Sequence, residues 1–228
     1  MPVSTLRAAS MLGHWICENA KSLRAYLGRV HTVAPLVAPV QSLQIVELPR
    51  EVHKKGDHHG GFDATALLAP ARSGHDMGLA SEAGMPAIAD PGSSVVRAAH
   101  SLGIEVVPLV GPVSLMLALA ASGLNGQNFA FVGYLPSDAH GRARSARELE
   151  ALARKTGQTQ LFIETPYRNA AMLQTLLQTL SAGTRLAISS GLTTTDARTR
   201  SATISQWRSK DVGRGPDNTT PAVFAIGP

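Results

Sequence analysis

Apolar residues recur at helical spacing over Thr5–Leu12 and again over Ala20–Leu27, which predicts two helices near the start of the chain. Between them, Trp15-Ile16-Cys17 reads as a short strand, and Gln44–Leu48 as another. Arg50–Asp63 mixes Gly, Lys, His and acidic residues and predicts a loop. From Met77 the pattern sharpens. Met77–Ser81 is a short apolar strand, Glu82–Pro86 a Gly/Pro turn, and Ser94–Leu102 a helix behind the punctuation of Asp90-Pro91-Gly92-Ser93. Ile104–Val110 is β-branched and predicts a strand; Pro112–Ala121 predicts a helix with proline in its first turn, where a missing N–H costs nothing. Alternating strands and helices imply a mostly parallel sheet.

The second half continues the alternation. Strands are predicted at Phe129–Tyr134, Gln160–Glu164, Arg185–Ser189, Thr203–Trp207 and Ala222–Ile226, with helices at Ala143–Lys155 and Arg168–Leu180. The architecture expected is α/β in two domains, residues 1–111 and 112–228, with a mostly parallel sheet in the first and a mixed sheet in the second. The uncharged stretch from Val106 to Ser137 is not a membrane span, because Gly111-Pro112 cuts its apolar run in two.

Composition narrows the class. Of 228 residues, 44% are hydrophobic and 16% charged, ordinary usage for a globular chain. The net charge of +5 is unevenly placed: residues 1–124 carry 9 basic and 9 acidic side chains, residues 125–228 carry 12 and 7. A basic second half suits either a solvated surface or an acidic partner such as RNA, through Arg142, Arg144, Arg147, Arg154, Lys155, Arg198 and Arg200. One cysteine, Cys17, allows no internal disulfide; in its apolar run it reads as a small buried hydrophobe, which suits a cytoplasmic location. His53, His58, His59 and His75 have neither a cysteine partner nor helical pairing, so no metal is expected.

Three turns that follow predicted elements carry residue types able to hold a ligand: Ser81–Pro86, Gly111–Ser114 and Glu164–Arg168. In open α/β sheets ligands gather beyond the carboxyl ends of strands. Small residues admit backbone N–H groups close to a ligand, and a helix N-terminus presents unpaired N–H groups. No phosphate-binding Gly-rich loop, Ser-His-Asp spacing or dinucleotide fingerprint is present. Glu164 and Arg168, one helical turn apart, either pair with each other or orient and deprotonate a substrate.

Taken in order, the stretches Gly78–Gly92 (GLASEAGMPAIADPG), Val106–Pro112 (VVPLVGP), Ala121–Leu124 (ASGL), Phe131–Pro136 (FVGYLP) and Phe162–Arg168 (FIETPYR), with Glu18-Asn19-Ala20-Lys21 upstream, resemble the tetrapyrrole-methylase superfamily. The branch is similar to the ribosomal RNA small-subunit methyltransferases that act on a cytidine ribose 2′-hydroxyl. The resemblance covers the chain from about Ile16. It implies a two-domain α/β homodimer that binds S-adenosylmethionine between its domains and acts on ribosomal RNA. Ser81, Glu82, Ala83, Gly84, Met85, Pro86, Ile88, Gly111, Val113 and Ser114 would line the cofactor, with Pro166, Leu192, Pro221 and Ala222 completing the adenosyl pocket. Glu164, Arg168 and Glu18 are the candidate catalytic residues. Other substrates on the same fold, such as a tetrapyrrole, and a non-catalytic RNA-associated role are the alternatives.

Three departures bear on cofactor affinity. The strand and Gly/Pro-rich loop with which the family opens have no counterpart before the first helix, Val113 stands where Ser is common, and Met85 replaces a smaller polar residue. Weak binding of S-adenosylmethionine is therefore expected of this chain.

Overall fold

A computed structural model describes residues 1–55, 57, 61–82, 84–209 and 215–228, the side chains of residues 53–55 aside. Two compact units divide it, Met1–Pro112 and Val113–Pro228.

In the first unit α1 (Val3–Ser10) leads into β1 (His14–Cys17), α2 (Ala20–His31), β2 (Gln44–Glu47), α3 (Arg50–Lys55), α4 (Ala69–Arg72), β3 (Met77–Ala80) and α5 (Ser93–Ser101). The three strands form a wholly parallel sheet in the order β2-β1-β3, with Ile16 opposite Val46 and Leu79. Alternation along β1 sorts its side chains. Trp15 and Cys17 join Leu23, Leu27 and Val30 of α2, while Ile16 joins Val95, Ala98 and Ala99 of α5 on the other face. Cys17 is buried, and burial, reinforced by nearby Glu47, pushes its thiol up to about 11, so it stays protonated at neutral pH. Gly78 sits under the Trp15 ring, where a Cβ would lie 2.3 Å from ring carbons; only glycine allows β3 this close.

Two sequence expectations fail here. Arg50–Asp63 is not loop throughout, because Arg50–Lys55 forms a short helix anchored by buried Val52, whose amide donates to Pro49 O. The remainder of that stretch includes residues 56 and 58–60, which lie outside those described. Ile104–Val110, for all its β-branched residues, is not a strand. Ile104 packs against the α5 core, but Val107 and Val110 are 64% and 69% exposed. A strand needs a neighbour to accept its backbone hydrogen bonds; β3 ends the sheet, and no described segment pairs with its outer edge.

The second unit holds α6 (Ser114–Ser122), β4 (Phe129–Tyr134), α7 (Ala139–Thr156), β5 (Thr159–Glu164), α8 (Asn169–Thr179), β6 (Arg185–Ser190), β7 (Arg198–Thr203), α9 (Ile204–Arg208) and β8 (Ala222–Gly227). The mixed sheet runs β4-β5-β8-β6-β7, with β8 antiparallel between β5 and β6. One face carries Phe162, Phe224, Leu186 and Ile188 against α7, α8 and Trp207 of α9; the other carries Leu161, Val223, Ala225 and Ala187 against α6. Thr203–Trp207, expected as a strand, is instead mostly helix. Thr203 and Gln206 form a reciprocal capping box that starts α9, and the neighbouring strand is the polar run Arg198–Thr203. Among the described residues no helix is long and apolar enough to cross a membrane.

Asp57 ties the first unit together. Its buried carboxylate accepts from Gly92 N (2.9 Å), Ser94 N (2.8 Å) and Ser94 Oγ (2.6 Å), capping α5 from a distant loop. Burial alone would push this carboxyl up; the hydrogen bonds from Ser94 and Gly92 outweigh it and hold it below the ordinary carboxylate range. The stabilisation is therefore complete above the unfolded value of about 3.9 and is lost as pH falls through the lower folded value. Asp57→Ala is expected to cost about 1–2 kcal/mol at pH 7, read from urea unfolding. The difference between wild type and variant should shrink in acid below about pH 4; a gap that stays constant there would remove Asp57 from this role.

Candidate functional site

Because β1, β2 and β3 are parallel, Cys17, Glu47 and Ala80 end them on one edge. The Ser81–Pro86 turn starts there. Ser81 Oγ is shielded from solvent and has no hydrogen-bond partner among the described residues. The Glu82 amide donates to Glu18 Oε2 (3.3 Å), and Glu82 Oε2 accepts from Ser22 Oγ (3.0 Å), so Glu18 lies at the same turn. Glu47 Oε1 accepts from Ala20 N (2.7 Å) and Asn19 Oδ1 from Ser22 N (3.0 Å), which occupies the first N–H groups of α2. Ala83 lies outside the described residues. Beyond it the backbone is unusual: Gly84, Ala87, Ala89 and Gly92 all have positive φ, at 131°, 66°, 65° and 139°. Two alanines in the left-handed region store strain of a kind found at ligand-binding turns. Met85 and Pro86 are partly buried, and Ile88 is 44% exposed.

The Gly111–Ser114 turn spans the unit boundary, with Gly111 and Pro112 in the first unit and Val113 and Ser114 in the second. Val113 is the extended residue preceding α6 and offers no side-chain cap, so the first N–H groups of that helix have no capping side chain. Its own side chain packs into the α6 core cluster together with Leu192.

In the second unit, register collects the remaining positions. Glu164 on β5 pairs with Ala222 on β8, which pairs with Ser190 on β6, which pairs with Arg198 on β7. Pro166 follows the first member of this row, Leu192 the third, and Pro221 precedes the second, so these three lie along one end of the sheet. Ala222 is buried, Pro166 partly buried and Pro221 exposed. Asn169, which the sequence did not single out, links the turns: its buried Nδ2 donates to Asp217 O (2.7 Å) and Thr220 O (2.8 Å). The only hint was its place directly after the FIETPYR motif, at the start of α8.

Glu164 is enclosed. Its Oε1 accepts from Thr165 N (2.7 Å) and Thr165 Oγ1 (3.2 Å), and its Oε2 pairs with Arg168 Nη2 at 2.7 Å. Arg168 Nη2 also donates to Leu135 O (3.1 Å). A carboxylate so occupied is set up to hold the 164–168 turn in shape. The pair is unequal, since the Glu164 side chain is fully buried and that of Arg168 is 23% exposed. Removing the arginine strands a buried charge, whereas Glu164→Gln leaves a neutral acceptor. Arg168→Ala is thus expected to cost about 3–5 kcal/mol and Glu164→Gln clearly less, by thermal or urea unfolding. Equal losses would show that burial of the charge is not what the pair offsets.

Each unit offers its own polar or apolar features: the first a shielded Ser81 hydroxyl with no partner among the described residues, the second an uncapped helix start at Ser114 and an apolar patch of Val113 and Leu192. His75 stacks on His14 at 4.8 Å between ring centroids, while His58, His59 and the side chain of His53 lie outside the described residues.

The family model for tetrapyrrole (corrin/porphyrin) methylases matches residues 5–207. The chain belongs to the tetrapyrrole methylase family. A relative from Vibrio cholerae serotype O1, Ribosomal RNA small subunit methyltransferase I, is 37% identical over 139 residues, 61% of this chain and 47% of its own length. The protein of the same name from Escherichia coli O157:H7 is 33% identical over 161 residues, covering 69% and 55%. The chain thus spans about half the length of the curated relatives it matches. Among solved structures, the methyltransferase CobJ aligns with a TM-score of 0.51 at 18% identity, covering 98% of this chain and 85% of that one. Uroporphyrin-III-C-methyltransferase from Thermus thermophilus gives the same score and identity over 100% and 87%. The likeness shows a shared α/β fold; this chain's own sheets are parallel in the first unit and mixed in the second, as expected from the sequence.

Proposed function

We propose that this chain is an S-adenosylmethionine-dependent methyltransferase acting on small-subunit ribosomal RNA, at the ribose 2′-hydroxyl of a cytidine. What carries the proposal is where the family motifs fall: GLASEAGMP and FIETPYR each cross the carboxyl end of a parallel-paired strand, β3 and β5, where α/β folds place ligands. The names of the relatives supply the substrate class.

When bound, S-adenosylmethionine supplies an electrophilic sulfonium methyl. The chain's own contribution is placement. In the first unit, Ser81 Oγ, Glu82, the backbone of Gly84–Pro86, Ile88 and Gly111 are the candidates to hold its polar edge; in the second, the N–H groups at Ser114 are. Val113, Leu192, Pro166, Pro221 and Ala222 would hold the adenosine. Fixing a ribose hydroxyl in line with the methyl accounts for much of the rate in such transfers. Glu164 and Arg168 shape the turn from which a substrate is oriented; Glu18, partly exposed and bonded to one backbone amide, keeps acceptor capacity for a substrate proton.

Affinity for the cofactor is expected to be weak. Among the described residues Val106–Val110 has no strand partner to place the Gly111 turn, and losing two or three hydrogen bonds of about 0.5–1.5 kcal/mol each weakens binding roughly a hundredfold. Calorimetry is expected to give no low-micromolar site, and methyl incorporation into ribosomal RNA should be slow but specific for that substrate. Low-micromolar binding would sink the affinity argument; incorporation into a tetrapyrrole instead would redirect the substrate.

A homodimer completes the proposal, supported by the apolar groups left outside each core: Val107 and Val110, and Tyr134 and Phe129 on edge strand β4. Light scattering at micromolar concentration is expected to give twice the chain mass, and Val107→Lys to shift it toward the monomer mass. A clean monomer mass would exclude the dimer.

A further inference from the structure

The basic start of α7 is partly taken up inside the second unit. Arg142 is buried, with Nε donating to Thr175 Oγ1 (2.9 Å) and Nη1 to Ser137 O (3.0 Å). The helix begins at Ala139, earlier than the predicted Ala143, and Asp138 caps it. Arg144 has Glu148 at 3.9 Å on the same exposed face. An RNA strand is also held by its bases, through exposed aromatic rings.

The chain has two Trp, three Tyr and five Phe, all among the described residues. Trp15, Phe162, Trp207 and Phe224 are buried, and Tyr26, Phe62 and Phe131 partly so. Tyr167 is the most exposed of them, at 75%. It makes no hydrogen bond or ring contact among the described residues. Its backbone, by contrast, is held from several sides. Pro166 before it has a fixed φ. The Arg168 amide donates to Thr165 O (3.0 Å) and the Asn169 amide to Pro166 O, which closes the turn around Tyr167. Arg168 is anchored by Glu164 (2.7 Å) and Leu135 O (3.1 Å), and the Asn169 side chain by Asp217 O and Thr220 O. Singly exposed apolar residues are ordinary on protein surfaces. What sets Tyr167 apart is this bracing and its place, directly beyond the end of β5, where Glu164 pairs with Ala222. A tyrosine there offers a wide apolar face and has only two side-chain torsions to fix.

Presenting a ribose to a protein site draws its nucleotide away from its neighbours, and the base then lacks a stacking partner; aromatic side chains replace that partner. We infer that Tyr167 is a stacking platform for one unstacked base of the RNA substrate. The phenol ring matches the single ring of a pyrimidine, and the contact is made by the ring face, with no need of the hydroxyl. Tyr167 thereby positions the strand and takes no part in the transfer itself. The inference rests on the ribosomal RNA substrate proposed above.

Fluorescence anisotropy on the full chain tests it with two labelled probes, a short oligocytidylate and an abasic strand of the same length, which has the same phosphates and no bases. Tyr167→Ala is expected to bind oligocytidylate roughly tenfold more weakly and the abasic strand unchanged. The slope of log affinity against log salt should stay the same, because no cation is removed. Tyr167→Phe should bind both probes like wild type. Tyr167→Trp adds an exposed indole to two buried ones, and unlabelled oligocytidylate should quench its emission where the abasic strand does not. Should the alanine variant fail to fold, that quench decides alone. If wild type binds oligocytidylate and folded Tyr167→Ala binds it as tightly, the platform is wrong while the substrate proposal stands. If wild type binds no RNA at all, both fail. An equal loss on the abasic strand would show that the missing contact is not stacking, and would overturn the platform. So would a variant that keeps its RNA affinity but scatters light as a smaller particle, since the ring then belongs to a contact between copies of the chain.

Discussion

Strand β8 is held on both sides, by β5 and by β6, in antiparallel register over five and six residue pairs. Slipping it by one residue would turn Phe224 and Ile226 out of one core and drive Val223 and Ala225 out of the other. The Phe162 and Phe224 rings, stacked 5.5 Å apart across β5 and β8 with planes 3° from parallel, are the contact that makes such a slip most costly. Everything at the end of the second sheet follows from this register. It aligns Glu164, Ala222, Ser190 and Arg198 in one row, so the turn after β5, the turn after β6 and the approach to β8 meet along a single edge. Asn169, at the start of α8, then fastens the approach to β8 by two of its backbone carbonyls, those of Asp217 and Thr220.

The first unit is organised by a weaker version of the same constraint. A three-stranded parallel sheet buries only β1 on both sides, so its stability leans on side chains that reach across, with Gly78 admitting Trp15 and Asp57 capping α5. The turn that follows β3 carries four positive-φ residues and a Ser81 hydroxyl with no partner among the described residues. Strain of this kind persists only where the surrounding structure over-determines it, as the β1–β3 pairing and the Asp57 cap do on either side of the turn.

What the sequence made legible was local. Amphipathic runs such as Ala20–Leu27 and the strand Phe129–Tyr134 bury or pair as their spacing indicates, because their partners lie close in the fold. The misreadings share a cause. Val106–Val110 has strand composition, but a strand is a relation between two segments, and composition says nothing about whether the second one is in place. Thr203–Trp207 looked β-like until the side chains of Thr203 and Gln206 closed on each other's backbone, a local bond that outweighs propensity. Of the candidate site, the motif turns were visible as Gly, Pro and acidic punctuation. Asp57 and Asn169 were not, since each acts over at least 35 residues of chain.

Each unit holds one of the two tryptophans, Trp15 in the first and Trp207 in the second, and both are buried with Nε1 bonded to a backbone carbonyl. Their emission therefore divides the molecule optically into halves. Replacing either indole by phenylalanine leaves a single fluorophore that reports the melting of one unit while the other stays dark. Trp207 also lines a groove beside β7 with Ile188 and Ser190, so its emission reports the polarity of that surface as well as the integrity of the second core.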